Sequence, residues 1–297
     1  MPTPARHTRL TALMTLVGLG LATVVAGCGA SPSAKSGAGS AQNSTASASR
    51  DELNDLWSQF QTLADRPAVP LTTNLGLKPV AGFTQADVDA LTRRAVDVLE
   101  RGIQPRLSEM DPNKVIDYVF ANQYDQTTFK FKTDSSDYLA GYSSDWLAAS
   151  IYQKTPTTAP KVVKVAAKVA RDSGKLDDGT TAPLLRVTVQ AHAAQLVRSA
   201  SGKVPIVVRR TVQVSGFKPR GGPDWWPGIL ADTSPYGNAE CPLYDGSKLI
   251  PLTDPGSLRK DLAALKISLG SKGMVPQTFG EPVSASKFRK YVNKTCK

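Results

Sequence analysis

Histidine is almost missing from this chain, with two in 297 residues, His7 and His192. The three cysteines, Cys28, Cys241 and Cys296, are equally sparse. A structural zinc site needs four Cys or His ligands; the cysteines alone are too few, and His7 sits in an N-terminal segment that reads as a removable signal, so no zinc site is expected. No calcium-loop spacing occurs; Asp177-Asp178-Gly179 reads as a turn, and Asp134 and Asp137 read as helix caps. The Gly-x-Ser-x-Gly elbow of serine hydrolases is absent. Gly221-Gly222 is followed by neither the further glycines nor the Lys-Ser/Thr of a phosphate loop, so nucleotide binding has no support. No metal and no cofactor is therefore expected. Two chemistries without a local signature remain open, namely the paired carboxylates of glycoside hydrolysis and a general-base role for His192. His192 lies on the polar side of an alternating stretch beside Gln190, where it reads first as an ordinary hydrogen-bonded residue.

Long apolar runs are scarce as well. The clearest covers residues 13–25, short of the roughly 20 residues that a membrane span requires. It follows Arg6 and Arg9 and closes on Val25-Ala26-Gly27-Cys28. A basic start, an apolar middle and small residues before the cysteine mark a targeting segment. The pattern resembles a bacterial lipoprotein signal. That resemblance implies cleavage after Gly27, lipidation of Cys28 and an extracytoplasmic domain held at a cell membrane. A diacyl group anchors stably where one chain does not. The alternatives are a transmembrane anchor or a secretory signal removed without lipidation. The Ala- and Arg-rich style points, as composition only, to an actinobacterial source.

Residues 28–48 are nearly all Ser, Ala and Gly after the cysteine, a composition expected to form a flexible tether. Residues 49–297 then form one extracytoplasmic domain. Beyond Cys28 only Cys241 and Cys296 remain, and in an oxidising compartment they are expected to pair; two free buried thiols are the alternative. Charge is segregated. Residues 51–160 hold 10 Lys/Arg against 15 Asp/Glu, residues 161–220 hold 12 against 3, and residues 257–297 hold 9 against 2. For an exported chain the anionic partners at hand are lipid headgroups, wall polymers and envelope proteins rather than nucleic acid. Solvated faces that only maintain solubility are the other reading.

Periodicity divides the domain into helices followed by strands. Ser49-Arg50-Asp51-Glu52 reads as a capping box before the stripe Leu53, Leu56, Trp57, Phe60 and Leu63, with a stop before Pro67. After a connector to residue 83, Thr84 opens a second helix that carries Val88, Leu91, Ala95, Val98 and Leu99 and stops at Gly102. Asp111-Pro112 opens a third, with Val115, Ile116, Val119 and Phe120 inward. Residues 126–153 fit either a strand and a helix or several short elements. Alternation around Val163–Val169, Val187–Ala193 and Val208–Val214 predicts three antiparallel strands, although Arg210 breaks the apolar side. The chain then reads as irregular, with adjacent Trp225 and Trp226 suited to core packing or to contact with a sugar or a membrane interface. A short strand near residues 248–252, a helix opened by Asp254-Pro255 and another capped by Ser284 complete the reading.

Helices before strands indicate an α+β fold: helices packed on a curved antiparallel sheet over residues 84–252, an added N-terminal helix over 49–83 and a helical extension over 253–297. The element order resembles the cone-shaped fold of nuclear-transport-factor-like and cystatin-like proteins. That resemblance implies a pocket between helices and sheet, which either added helix is placed to plug. The favoured function is a non-catalytic binding or scaffolding lipoprotein of the cell envelope. A hydrolase or isomerase working in the pocket is the second reading, and a solute-binding lipoprotein the third. Lys164, Lys168, His192 and Arg209, with Trp225 and Trp226, are the candidate binding surface. The face carrying Lys164, Lys168 and Arg209 is expected to be open to water, because buried unpaired charge is costly.

Overall fold

Helix starts follow the chemistry at their first residues. The computed structural model describes residues 41–104, 118–119, 158–175, 179–199, 202–217, 226–239, 249–276 and 294. In chain order its elements are α1 (Ala41–Ala64), α2 (Gln85–Gly102), β1 (Lys161–Lys175), β2 (Thr181–Ser199), β3 (Gly202–Phe217), β4 (Trp226–Tyr236) and α3 (Pro255–Gly270). Thr84 Oγ1 accepts from Asp87 N–H while Asp87 Oδ2 accepts from Thr84 N–H, the reciprocal capping box that starts α2. Asp254 Oδ2 accepts from Ser257 N–H at 2.7 Å, and Pro255 takes the first turn of α3, where its missing N–H costs nothing. The α1 start differs from the sequence reading. Residues 41–48 continue the helix upstream of Ser49, since alanine is the best helix former and Ala41, Ala46 and Ala48 extend a helix nucleated by the apolar stripe behind them.

The sheet is four-stranded, antiparallel and open, in the order β1-β2-β3-β4. With the helices named above it makes a mixed α+β fold. β4 corrects the expectation of irregular chain beyond Gly216. Pro227 and Pro235 disguise it in the sequence, yet prolines are tolerated on an edge strand because half its N–H groups have no ladder partner. The strand expected near residues 248–252 is a single bridge, Asn238 to Pro251.

Register sorts the side chains onto two faces. Val187, Val189, Ala191, Val212 and Val214 pack with Val88, Leu91, Ala95, Val98 and Leu99 of α2. Val119 joins them fully buried; the remainder of the helix expected from Asp111-Pro112 lies outside the described residues. Val162 joins the α2 cluster, and a register shift between Val162 and Lys164 leaves Val163 on the opposite face, the same one as Lys164. On that second face Ala194, Val207 and Tyr236 pack under Leu56, Trp57 and Phe60 of α1 and Leu258, Leu262 and Leu265 of α3. Helices thus cover both faces rather than the one that the cone resemblance implied. Burial of these clusters supplies the main driving force, at about 25 cal/mol per Å² of apolar surface.

Candidate functional site

Backbone register aligns Lys164, His192, Arg209 and Ser234 in one transverse row, each on a different strand and all on the face toward α3. The next row holds Gln190 and Thr211. The expectation that this basic face stands open to water is corrected. His192, Gln190 and Thr211 are fully buried, and Thr188 is 2% exposed. Lys164 and Arg209 are half-buried, while Lys168, opposite Thr188, is exposed.

Main-chain oxygens make that burial tolerable. Lys164 Nζ donates to Ser268 O at 2.6 Å, to Ser271 O at 2.8 Å and to Ser271 Oγ at 2.7 Å, placing an ammonium at the negative C-terminal end of α3. Arg66 donates to Leu269 O at 3.2 Å, so a second cation serves the same helix end. Gln190 clasps both main-chain groups of one residue: its Nε2 donates to Val275 O and its Oε1 accepts from Val275 N–H. Arg209 donates to Ser234 Oγ at 2.9 Å and lies 6.0 Å from the Tyr236 ring centroid. Lys164, Arg66 and Gln190 thus hold α3 and the chain after it against the sheet, whereas Arg209 links β3 to β4.

His192 Nε2 lies 2.7 Å from Ser268 Oγ. A nucleophile and its base need that separation, but the remaining requirements are unmet. Ser268 is 1% exposed, His192 is sealed, and His192 Nδ1 has no hydrogen-bond partner among the described residues to orient the ring. Burial, reinforced by Lys164, Arg209 and Arg66, pushes the imidazole down to about 3, which makes it a poor base at neutral pH. Burial and the Arg66 charge also lower Lys164.

Among the described residues no group of three His, Cys, Asp or Glu side chains is arranged to hold a metal ion. Among the described residues, clefts open to solvent lie away from the His192 row. One of about 430 Å³ is lined by Arg171, Asp172, Ser173 and the start of β2; another, of about 360 Å³, lies between residues 73–78 and the first turns of α2. Cys28, Cys241, Cys296 and Trp225 lie outside the described residues, and Trp226 enters only as the first residue of β4, opposite Phe217. Ser268, Ser271, Gln190 and Arg66 were missed from sequence. The available signal was Ser268 itself, a hydroxyl on the stripe formed by Leu258, Leu262, Leu265 and Leu269. Comparison with known proteins finds no matching family model, no matching curated protein and no matching solved structure.

Proposed function

We propose that this chain is a membrane-anchored extracytoplasmic lipoprotein whose α+β domain serves as a non-catalytic binding or scaffolding module of the cell envelope. The observation that carries the anchor is Val25-Ala26-Gly27-Cys28 behind a basic start and an apolar run. No helix among the described residues is long and apolar enough to cross a membrane. Support for the binding reading comes from how the polar side chains are employed: Lys164, Gln190 and His192 all engage α3 or the chain just beyond it. Exposed cations remain at Lys168 on β1 and at Arg198 and Lys203, which face each other across the β2–β3 pair. No Asp or Glu occurs between Asp178 and Asp224, which suits an anionic wall polymer or an acidic envelope protein as partner.

Metabolic labelling with an alkyne fatty acid tests the anchor. Wild-type protein takes the label and fractionates with membranes; Cys28→Ala takes none and leaves them. Equal labelling of both would refute it. Crosslinking in intact envelopes followed by a salt series tests the partner, and association through exposed cations weakens as salt rises. The Ser268–His192 contact is the one observation favouring a hydrolase, and turnover of ester or glycoside substrates that His192→Gln abolishes would establish that reading instead. A solute-binding lipoprotein is disfavoured, since a single antiparallel sheet lacks the strand–helix alternation of two parallel-sheet lobes.

A further inference from the structure

The end of α3 is attached unlike its beginning. Leu258, Leu262 and Leu265 pack into the apolar cluster under α1. From Ser268 onward the attachment is polar apart from Leu269: Lys164 holds Ser268 and Ser271, His192 holds Ser268, Arg66 holds Leu269 O and Gln190 holds Val275. Around the imidazole the charged groups are Lys164 from β1, Arg209 from β3 and Arg66 from the chain after α1. Among the described residues, the polar partners of these three cations are carbonyl or hydroxyl oxygens rather than carboxylates. On α3 itself Asp261 is turned to Gly237 N–H, at 2.7 Å. On β4, Asp232 occupies the register position opposite Thr211, one row along.

We propose that the last turn of α3 and residues 271–275 form an acid-releasable clasp on the sheet, which opens when His192 takes up a proton. A protonated His192 would be a fourth positive charge in a site whose cations meet no carboxylate among the described residues, and its Nδ1–H would be buried with no acceptor among them. Opening resolves both problems by admitting water. The amino-terminal half of α3 stays, because the leucine contacts with α1 do not involve the imidazole. Release uncovers the Lys164–His192–Arg209 row, so that the surface offered to a partner differs between neutral and acid conditions.

Hydrogen–deuterium exchange on the whole chain, corrected for the intrinsic pH dependence of exchange, reads the clasp directly. Between pH 7 and pH 4, protection of residues 266–276 falls on the order of a hundred-fold, given an imidazole held at about 3 when closed and near 6.5 when open. Peptides from β2 and β3 keep their protection. In His192→Gln, where no proton is taken up, residues 266–276 show no such fall. A proton NMR titration of the wild type supplies a check that needs no variant, since the His192 signal must titrate together with the loss of protection. Unchanged protection down to pH 4, loss shared by the whole sheet, or an equal loss in His192→Gln would each overturn the proposal.

Discussion

Gly237 shows how a single atom can decide a packing arrangement. Its φ of +81° lies in the left-handed region, and a Cβ there would meet Trp57 Cη2 at 3.0 Å and Cζ3 at 3.1 Å. Trp57 and Phe60 are ring partners in the core, with centroids 5.2 Å apart, so neither has room to retreat. Gly237→Ala is therefore expected to destabilise by about 2–3 kcal/mol, from backbone strain plus overpacking. Gly270→Ala is the matched control: nothing lies within 4 Å of its added methyl, and the change should stay within about 0.5 kcal/mol. Urea denaturation of both variants checks the contrast, and equal effects would refute it. His192 gives the pH counterpart. Its folded value of about 3 lies below the usual 6.5, so above pH 6.5 both states are neutral and stability is flat. Below that, the unfolded chain binds a proton that the fold refuses, and stability falls as pH falls toward 3. Wild type should lose about 2 kcal/mol between pH 7 and pH 5 relative to His192→Gln, with the slope ending once the clasp has opened. Parallel denaturation curves at the two pH values would show no such coupling.

Whole elements were the most legible part of the sequence, because their signals are local. Thr84 announced α2, and Asp254-Pro255 announced α3; both positions cap their helices in the structure. Thr84→Ala should therefore cost about 1 kcal/mol and lower the unfolding midpoint without changing the denaturant slope. No shift in midpoint would mean that the capping box contributes nothing to α2. Alternation likewise located β1, β2 and β3; of the apolar residues it named, Val187, Val189, Ala191, Val212 and Val214 pack with α2, whereas Val163 turns to the other face. It gave no information about what covers the other face. Lys164 is satisfied by main-chain oxygens of residues 268 and 271, and every residue type carries such oxygens, so no side-chain pattern could reveal the partner. The assumption that charged strand faces must be wet failed there for that reason. β4 escaped because its prolines, harmless at an edge, look like strand breakers when the sheet order is unknown.

At the scale of the whole molecule, the α1 and α3 layer ties the beginning of the domain to its end. Leu56, Trp57 and Phe60 pack with Leu258, Leu262 and Leu265, and Arg259 pairs with Glu52 across the same contact. A cross-link between Cys241 and Cys296 would reinforce that tie, since it closes a loop that contains the whole of α3. In the chain-entropy account, closing a loop of this length stabilises by about 4 kcal/mol, less any strain. That is comparable to the total stability of a marginal domain. Protein recovered from an oxidising compartment is expected to yield the Cys241–Cys296 peptide pair on non-reducing digestion and to unfold at lower denaturant after reduction. Cys241→Ser should match the reduced wild type in midpoint, because either change frees the same loop in the unfolded chain. Two alkylatable thiols in freshly exported protein, or a midpoint that ignores reductant, would show that the layer holds both ends of the domain by packing alone.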